Sequence, residues 1–354
     1  MRPKHIIAWG VFWSILLSLG LEVFFATGGF FRFASIESYL LFGPVDSWTH
    51  NQILLHKLRT SERTRTSTAS RYFFLGGSVG LEAIHSDEDI LQKLGNLDDN
   101  GTEFISLNSS LKTLGDETKI VDALKGVKGT LIIPIEALLM VKTSTAQINA
   151  RSAGRLTRKY TGLPISDEVT KIINEHGGKI DFIDRSFLLR NTYSLGHALR
   201  GILKRSTSGN PKTTYKRHAV GGMLPEGEES IRRHRLWMPK SLEKYDQFAP
   251  MNWKLLSYIA KERKRQAQSV VLVDVPINPI LQDLLAPYEE RYIRDLKAFV
   301  ERHGVTYWNF HKELNLPPED FKDVHHLLPS GREKFGKLIA EKISQLQKSE
   351  AIQP

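Results

Sequence analysis

Five short apolar runs stand out in the chain after residue 70. They read "RYFFLGG" (71–77), "TEFISLN" (102–108), "GTLIIPI" (129–135), "SVVLVDVPI" (269–277) and "VTYWNF" (305–310). Short apolar runs bounded by glycine or polar residues are typical of buried strands. The pattern therefore predicts five strands, of which the fourth is the most apolar.

Longer segments with helical spacing of their apolar residues separate these runs. Clear examples are "GDETKIVDALKGV", "PYEERYIRDLKAFVERHG" and "PSGREKFGKLIAEKISQLQ". Strands that alternate with helices favour an α/β domain with a mostly parallel sheet. We expect a three-layer α/β/α domain over residues 71–348.

The middle of the chain, about 140–250, does not follow this alternation, and its part from 206 to 218 is basic and loop-like. One interpretation is an insertion that caps the carboxyl edge of the sheet, where open α/β folds bind ligands. The other is that this segment only covers part of the surface.

An apolar stretch from 5 to 31 opens the chain, and Glu22 is its only residue charged at neutral pH. About 20 apolar residues suffice to span a bilayer as a helix. Arg2 and Lys4 precede it, so the positive-inside rule places the N-terminus in the cytoplasm. We expect an uncleaved, single-pass signal anchor over 1–31, a juxtamembrane linker over 32–70, and an extracytoplasmic domain at the cell membrane. A cleavable signal peptide and a buried soluble helix are the alternatives.

The amino-acid composition limits the kinds of site and partner that this chain can have. The 354-residue chain has no cysteine, which excludes disulfides, thiolate nucleophiles and cysteine-based metal sites. Its formal net charge of +10 suggests either attraction to a polyanion or merely a basic solvated surface. Nucleic acid is not the expected partner, because of the predicted anchor and because no aromatic-basic module is visible.

Ser78 is the first candidate for chemistry. It follows the first predicted strand in "FLGGSVG" and opens a helical segment. A serine at the end of a strand, near backbone N–H donors, is well placed to attack a carbonyl. The plainer interpretation is a helix N-cap. The letters G-G-S-V-G also fit the G-x-S-x-G elbow, but that elbow normally follows several strands rather than the first.

Asp323 and His326 are the second candidate, in "DVHHLLPSG". Their spacing of three lets both side chains point to one site, so His326 could act as a base that Asp323 orients. His325 is the competing imidazole, at a spacing that favours another face. One aspartate and two histidines make at most a partial metal site, so no metal and no cofactor is expected. A helix-capping loop is the remaining interpretation.

Taken together, a serine after the first strand and an Asp-x-x-His-Leu block before the last helix resemble the SGNH/GDSL hydrolase superfamily. The resemblance covers roughly 71–345 without the middle insertion. It implies a catalytic triad of Ser78, His326 and Asp323. Gly77 replaces the aspartate that this family usually has before its serine.

This chain differs more strongly from the family in the sequence blocks that supply the oxyanion donors. No glycine follows the second strand until Gly115, so Asn108, Ser110 or nearby backbone would have to donate. Glu136 stands near the place of the family's asparagine, and an ionised glutamate cannot donate a hydrogen bond. Binding or oxyanion roles are therefore expected at Gly77, Asn108, Ser110 and Glu136.

The predicted anchor makes the layout similar to one branch of the superfamily. That branch includes the D-alanyl transfer protein of teichoic acid modification and exopolysaccharide O-acetyltransferases. The resemblance implies a serine esterase or O-acyltransferase that acts on a cell-envelope polysaccharide or an acylated carrier, with a membrane-bound O-acyltransferase as a possible partner. The alternative is a non-catalytic envelope assembly or carbohydrate-binding protein that keeps the fold.

Overall fold

The computed structural model describes residues 3–26, 70–95, 102–108, 113–141, 165–176, 227–266 and 268–352. All five predicted strands are confirmed, each a little shorter than its apolar run. The strands are β1 (Arg71–Phe74), β2 (Glu103–Ser106), β3 (Thr130–Ile135), β4 (Val270–Asp274) and β5 (Thr306–Asn309). They form one sheet, parallel throughout, in the order β2-β1-β3-β4-β5.

Helices connect these strands, and those that the structure describes are numbered in chain order. They are α1 (Pro3–Ala26), α2 (Ser78–Leu81), α3 (Asp87–Gly95), α4 (Leu114–Ala123), α5 (Ala137–Val141), α6 (Asp167–Glu175), α7 (Glu228–Leu242), α8 (Tyr245–Arg265), α9 (Gln282–His303), α10 (Phe310–Leu314) and α11 (Pro329–Ile352). Two short 3₁₀ turns, Pro279–Leu281 and Pro318–Asp320, complete the described elements.

The sheet is covered on both faces, as the continuous apolar runs predict. Alternate residues of a strand point to opposite faces. Phe73 and Leu131 accordingly join the core cluster that includes α4, α8 and α9. Their neighbours Phe74 and Ile132 join a second cluster, which includes α3 and α11. The domain is therefore an α/β structure whose parallel sheet packs against helices on both faces.

The strand order indicates at which edge of the sheet a ligand would bind. The chain moves from β1 to β2 on one side, then returns to pair β3 with the other side of β1. The order 2-1-3-4-5 is that of flavodoxin-like folds, which bind ligands at the carboxyl ends of the strands where the order reverses. Here that position lies between the ends of β1 and β3. The fold is consistent with an SGNH domain at this level.

Within the segment predicted as an insertion, the described parts are helical. Of these, α8 packs against α4 and α5 and belongs to the main core. Residues 142–164 and 177–226 lie outside the described residues, as does the predicted linker up to residue 69. The capping insertion thus stays a prediction.

The N-terminal apolar run forms α1, and its large side chains are exposed, with Trp9 at 56% and Leu17 at 66%. Among the residues that the structure describes, no helix combines the length and apolar character that crossing a membrane requires. Polar Ser14, Ser18 and Glu22 interrupt the apolar surface of α1 along one groove.

Candidate active site

Ser78 lies where the polypeptide leaves β1 and begins α2. Gly77 is the N-cap residue, in an extended conformation, so Ser78 is the first residue inside the helix rather than its cap. Its side chain is half-buried, between the fully buried β1 and the buried remainder of α2. The hydroxyl thus stands at the carboxyl edge of the sheet, beside the position where the strand order reverses.

The glycines around Ser78 are explained by the side chain of Asn108. A Cβ atom at Gly76 would lie 3.0 Å from Asn108 Oδ1, and one at Gly80 would overlap that oxygen outright. Asn108 is buried just after β2, and its Nδ2 donates to Ser106 Oγ at 2.7 Å. The G-G-S-V-G pattern therefore lets the serine turn pack closely against the end of β2.

Asp323 and His326 form the buried pair that their spacing predicts. Asp323 Oδ2 lies 2.6 Å from His326 Nδ1, and Asp323 Oδ1 accepts the backbone N–H groups of both His325 and His326, at 3.1 and 2.9 Å. Burial by itself would raise the pKa of Asp323, but hydrogen bonds and charge from His326 hold it well below its usual range. The carboxylate thus stays ionised and orients the imidazole.

Hydrogen bonds to backbone carbonyls hold the loop that carries this pair. Lys322 N–H donates to the His326 carbonyl at 2.8 Å, and Asn278 Nδ2 donates to the Asp323 carbonyl at 3.0 Å. A Cβ atom at Gly331 would lie 2.7 Å from the Asp320 carbonyl oxygen. Glycine at this position therefore lets α11 start directly against the loop.

His326 Nε2 is the atom left for chemistry. It is buried and has no hydrogen-bond partner among the residues that the structure describes. A buried imidazole nitrogen normally has a partner, so one without any is a candidate for contact with a substrate or a mobile proton.

Glu136 and His325 form a second buried acid–imidazole pair, which the sequence did not indicate. Glu136 directly follows β3, and its Oε2 lies 2.8 Å from His325 Nδ1. The rings of His325 and His326 are 4.5 Å apart and edge to face. Two imidazoles thus lie side by side, each held at Nδ1 by its own carboxylate. The only sequence signal for the new pair is an acid at the end of a buried strand.

Asp274 adds a further buried acid at the end of β4. It accepts hydrogen bonds from the hydroxyls of Tyr292 and Tyr307, at 3.2 and 3.0 Å. Burial raises the pKa of Asp274 to about 7, against the opposing effect of the two tyrosines, and the negative charge of Glu136 adds to the rise. Ile135, the last residue of β3, pairs in register with Asp274 of β4, so Glu136 comes just after the strand beside Asp274.

An ion pair links the Ser78 helix to the His326 loop. The Glu82 carboxylate pairs with the Arg332 guanidinium, and Arg332 Nε donates to the Leu327 carbonyl at 2.9 Å. Glu82 N–H donates to the Ser78 carbonyl at 2.9 Å. The residues that follow Ser78 and His326 are thereby connected across 250 positions of sequence.

The structure thus brings Asp323 and His326 into direct contact, joins Glu136 to His325, and sets Asn108 against the Ser78 turn. Gly77 caps α2, and Ser110 lies outside the described residues.

Asp323, His325 and His326 also offer ligand atoms that all lie within 4.8 Å of one another. Three such groups could contact a cation, with an open fourth position. Both Nδ1 atoms already bond carboxylates, so the histidines would offer a cation their Nε2 atoms.

Comparison with models of known protein families gives no match for this chain, and comparison with curated protein sequences gives no significant match. The fold and the site together define an α/β domain with a five-stranded parallel sheet and a buried acid–histidine site at its carboxyl edge.

Proposed function

We propose that the protein is a serine acyl-ester enzyme of SGNH type. Ser78 Oγ attacks the carbonyl carbon of an acyl ester while His326 Nε2 takes its proton, and an acyl-enzyme forms. Asp323 orients the imidazole and stabilises its protonated form. Water or a sugar hydroxyl then attacks the acyl-enzyme, which makes the protein an esterase or an O-acyltransferase.

The observation that carries this proposal is the Asp323–His326 pair with its unpartnered Nε2, at the edge where Ser78 begins its helix. Asn108 is the proposed oxyanion-binding residue, because its buried side chain packs against the Ser78 turn. A hydrogen bond to the developing oxyanion is commonly worth about 10²–10³-fold in rate.

Substrate and location belong to the same proposal. We propose a cell-envelope polysaccharide or an acylated carrier as substrate, outside the cytoplasm and with a membrane-bound O-acyltransferase as partner. The net charge of +10 supports an anionic polymer, and the positive residues before the apolar N-terminal helix support export. Reporter fusions at the C-terminus test the location.

Labelling of the full chain with a fluorophosphonate, followed by mass spectrometry of peptides, tests the mechanism. We expect one adduct, on Ser78. The adduct should be absent in Ser78→Ala, and labelling should be much slower in His326→Gln. Ser86→Ala is the matched control, since that hydroxyl only accepts from the Asp89 backbone. A folded wild-type chain without an adduct on Ser78 would favour a non-catalytic binding role.

A further inference from the structure

Two acid–imidazole pairs side by side are more than one serine nucleophile requires. Asp323 holds His326, and Glu136 holds His325, in both cases through Nδ1, at 2.6 and 2.8 Å. Both acids and both histidines are buried. The two pairs come from different parts of the chain, since Glu136 ends a central strand and the other three residues share one loop.

In each imidazole a carboxylate bonds Nδ1, and Nε2 is the second ring nitrogen. The Glu136 carboxylate occupies His325 Nδ1 and leaves Nε2 as the other ring nitrogen, whereas His326 Nε2 is a buried atom with no partner among the described residues. An imidazole whose Nδ1 is bonded to a carboxylate is prepared to exchange a proton at Nε2. His325 therefore shares with the proposed base of Ser78 a buried carboxylate partner at Nδ1.

We propose that His325 is a second catalytic acid–base residue, which exchanges protons with the donor and acceptor hydroxyls, while His326 exchanges the proton of Ser78. Glu136 is its positioning residue. This assignment rests on the proposed acyl-ester chemistry and names the group that serves the alcohol side of that reaction.

The proton transfers balance over the two half-reactions. In the first, the Ser78 proton moves to His326 as Oγ bonds the acyl carbon. The bond from that carbon to the donor oxygen breaks, and the donor oxygen leaves with a proton from His325. In the second, the acceptor hydroxyl gives its proton to His325 as its oxygen bonds the acyl carbon. Ser78 Oγ then leaves that carbon and recovers its proton from His326.

His325 carries a mobile proton before acylation, and His326 carries one after it. While Ser78 Oγ and the alcohol oxygen are both bonded to the acyl carbon, each ring holds a proton, and the ring centres are only 4.5 Å apart. Repulsion between like charges at that distance favours prompt transfer of one proton to the departing oxygen.

The test compares leaving groups, using the full chain. p-Nitrophenolate and fluoride leave without a proton, whereas the alcohol of a sugar acetate needs one. In His325→Gln, fluorophosphonate labelling of Ser78 and the p-nitrophenyl acetate burst should stay within about threefold of wild type. Turnover of a sugar acetate should fall by about 10²-fold or more, the range of general acid–base catalysis.

Glu136→Gln should show the same selectivity for poor leaving groups, and the double variant should be no worse than His325→Gln. Glu136→Gln also serves as the second variant if His325→Gln does not fold. His303→Gln is the matched control, because His303 is bonded to Ser257 at the opposite end of the domain, just before β5.

Equal losses with both leaving groups in Glu136→Gln and His325→Gln would show a structural role and overturn the assignment, as would no loss with either. Both results would leave the serine mechanism intact. Absence of Ser78 labelling in the wild-type chain would instead reject the acyl-ester chemistry, and this assignment with it.

Discussion

Glu82 and Arg332 form a largely buried ion pair that joins the helix of Ser78 to the start of α11, just after the His326 loop. Glu82 is 1% exposed, so its carboxylate depends on this partner. Removal of one partner from a buried pair commonly costs about 3–5 kcal/mol. We expect Arg332→Met to lower the free energy of unfolding by about 3 kcal/mol, as measured by urea denaturation.

The double variant Glu82→Gln/Arg332→Met removes both charges and should recover part of that loss. It should still show a raised KM or slower acylation, because the link between the two site segments is gone. Stability losses that simply add in the double variant would contradict the ion-pair explanation.

Asp323→Asn should slow Ser78 acylation by about 10³–10⁴-fold, because an amide can hold the wrong imidazole tautomer. Stability is expected to depend on pH as well. The folded-state pKa of Asp323 lies below its unfolded value of about 3.9, so its contribution is present above that value and is lost as pH falls. The difference in unfolding free energy between wild type and variant should therefore be constant above about pH 5 and shrink below about 4.

Asp274 should give the opposite pH dependence. Burial raises its pKa to about 7, above the unfolded value of about 3.9. Its contribution is fully present below about pH 4 and is lost as pH rises toward 7, with a slope of at most about 1.4 kcal/mol per pH unit. Asp274→Asn should remove this slope from the unfolding free energy measured between pH 4 and 7. An unchanged slope would mean that Asp274 is ionised in the folded protein.

Gly80→Ala should destabilise the domain by about 1–3 kcal/mol, because the added methyl group overlaps Asn108 Oδ1. Adding Asn108→Ala should relieve the overlap and make the pair of substitutions less than additive. Gly95→Ala is the control, since a Cβ atom there meets nothing within 4 Å. Thermal unfolding of wild type, the three single variants and the double variant checks this, and a stable Gly80→Ala would show that Asn108 moves aside easily.

Much of the fold was predictable because its signals are local. The strand at 129–135 is apolar at every buried residue after Thr130, and glycines or polar residues bound it and the other strands. Asp323 and His326 are three residues apart, so their contact also needed only local geometry. The membrane anchor stays a prediction, because it rests on the apolar content of the N-terminal stretch and on the positive residues before it.

Sequence alone determined the alternation of strands and helices, the absence of cysteine chemistry, and the Asp323–His326 spacing, because each depends on residue type and short-range geometry. Only the tertiary structure decided that Glu136 bonds His325, a pair separated by 189 residues. That contact depends on β3 lying at the centre of the sheet and on the last loop crossing its carboxyl edge. Strand order and loop position arise from packing of the whole core, so the second acid–imidazole pair could not be seen in the sequence.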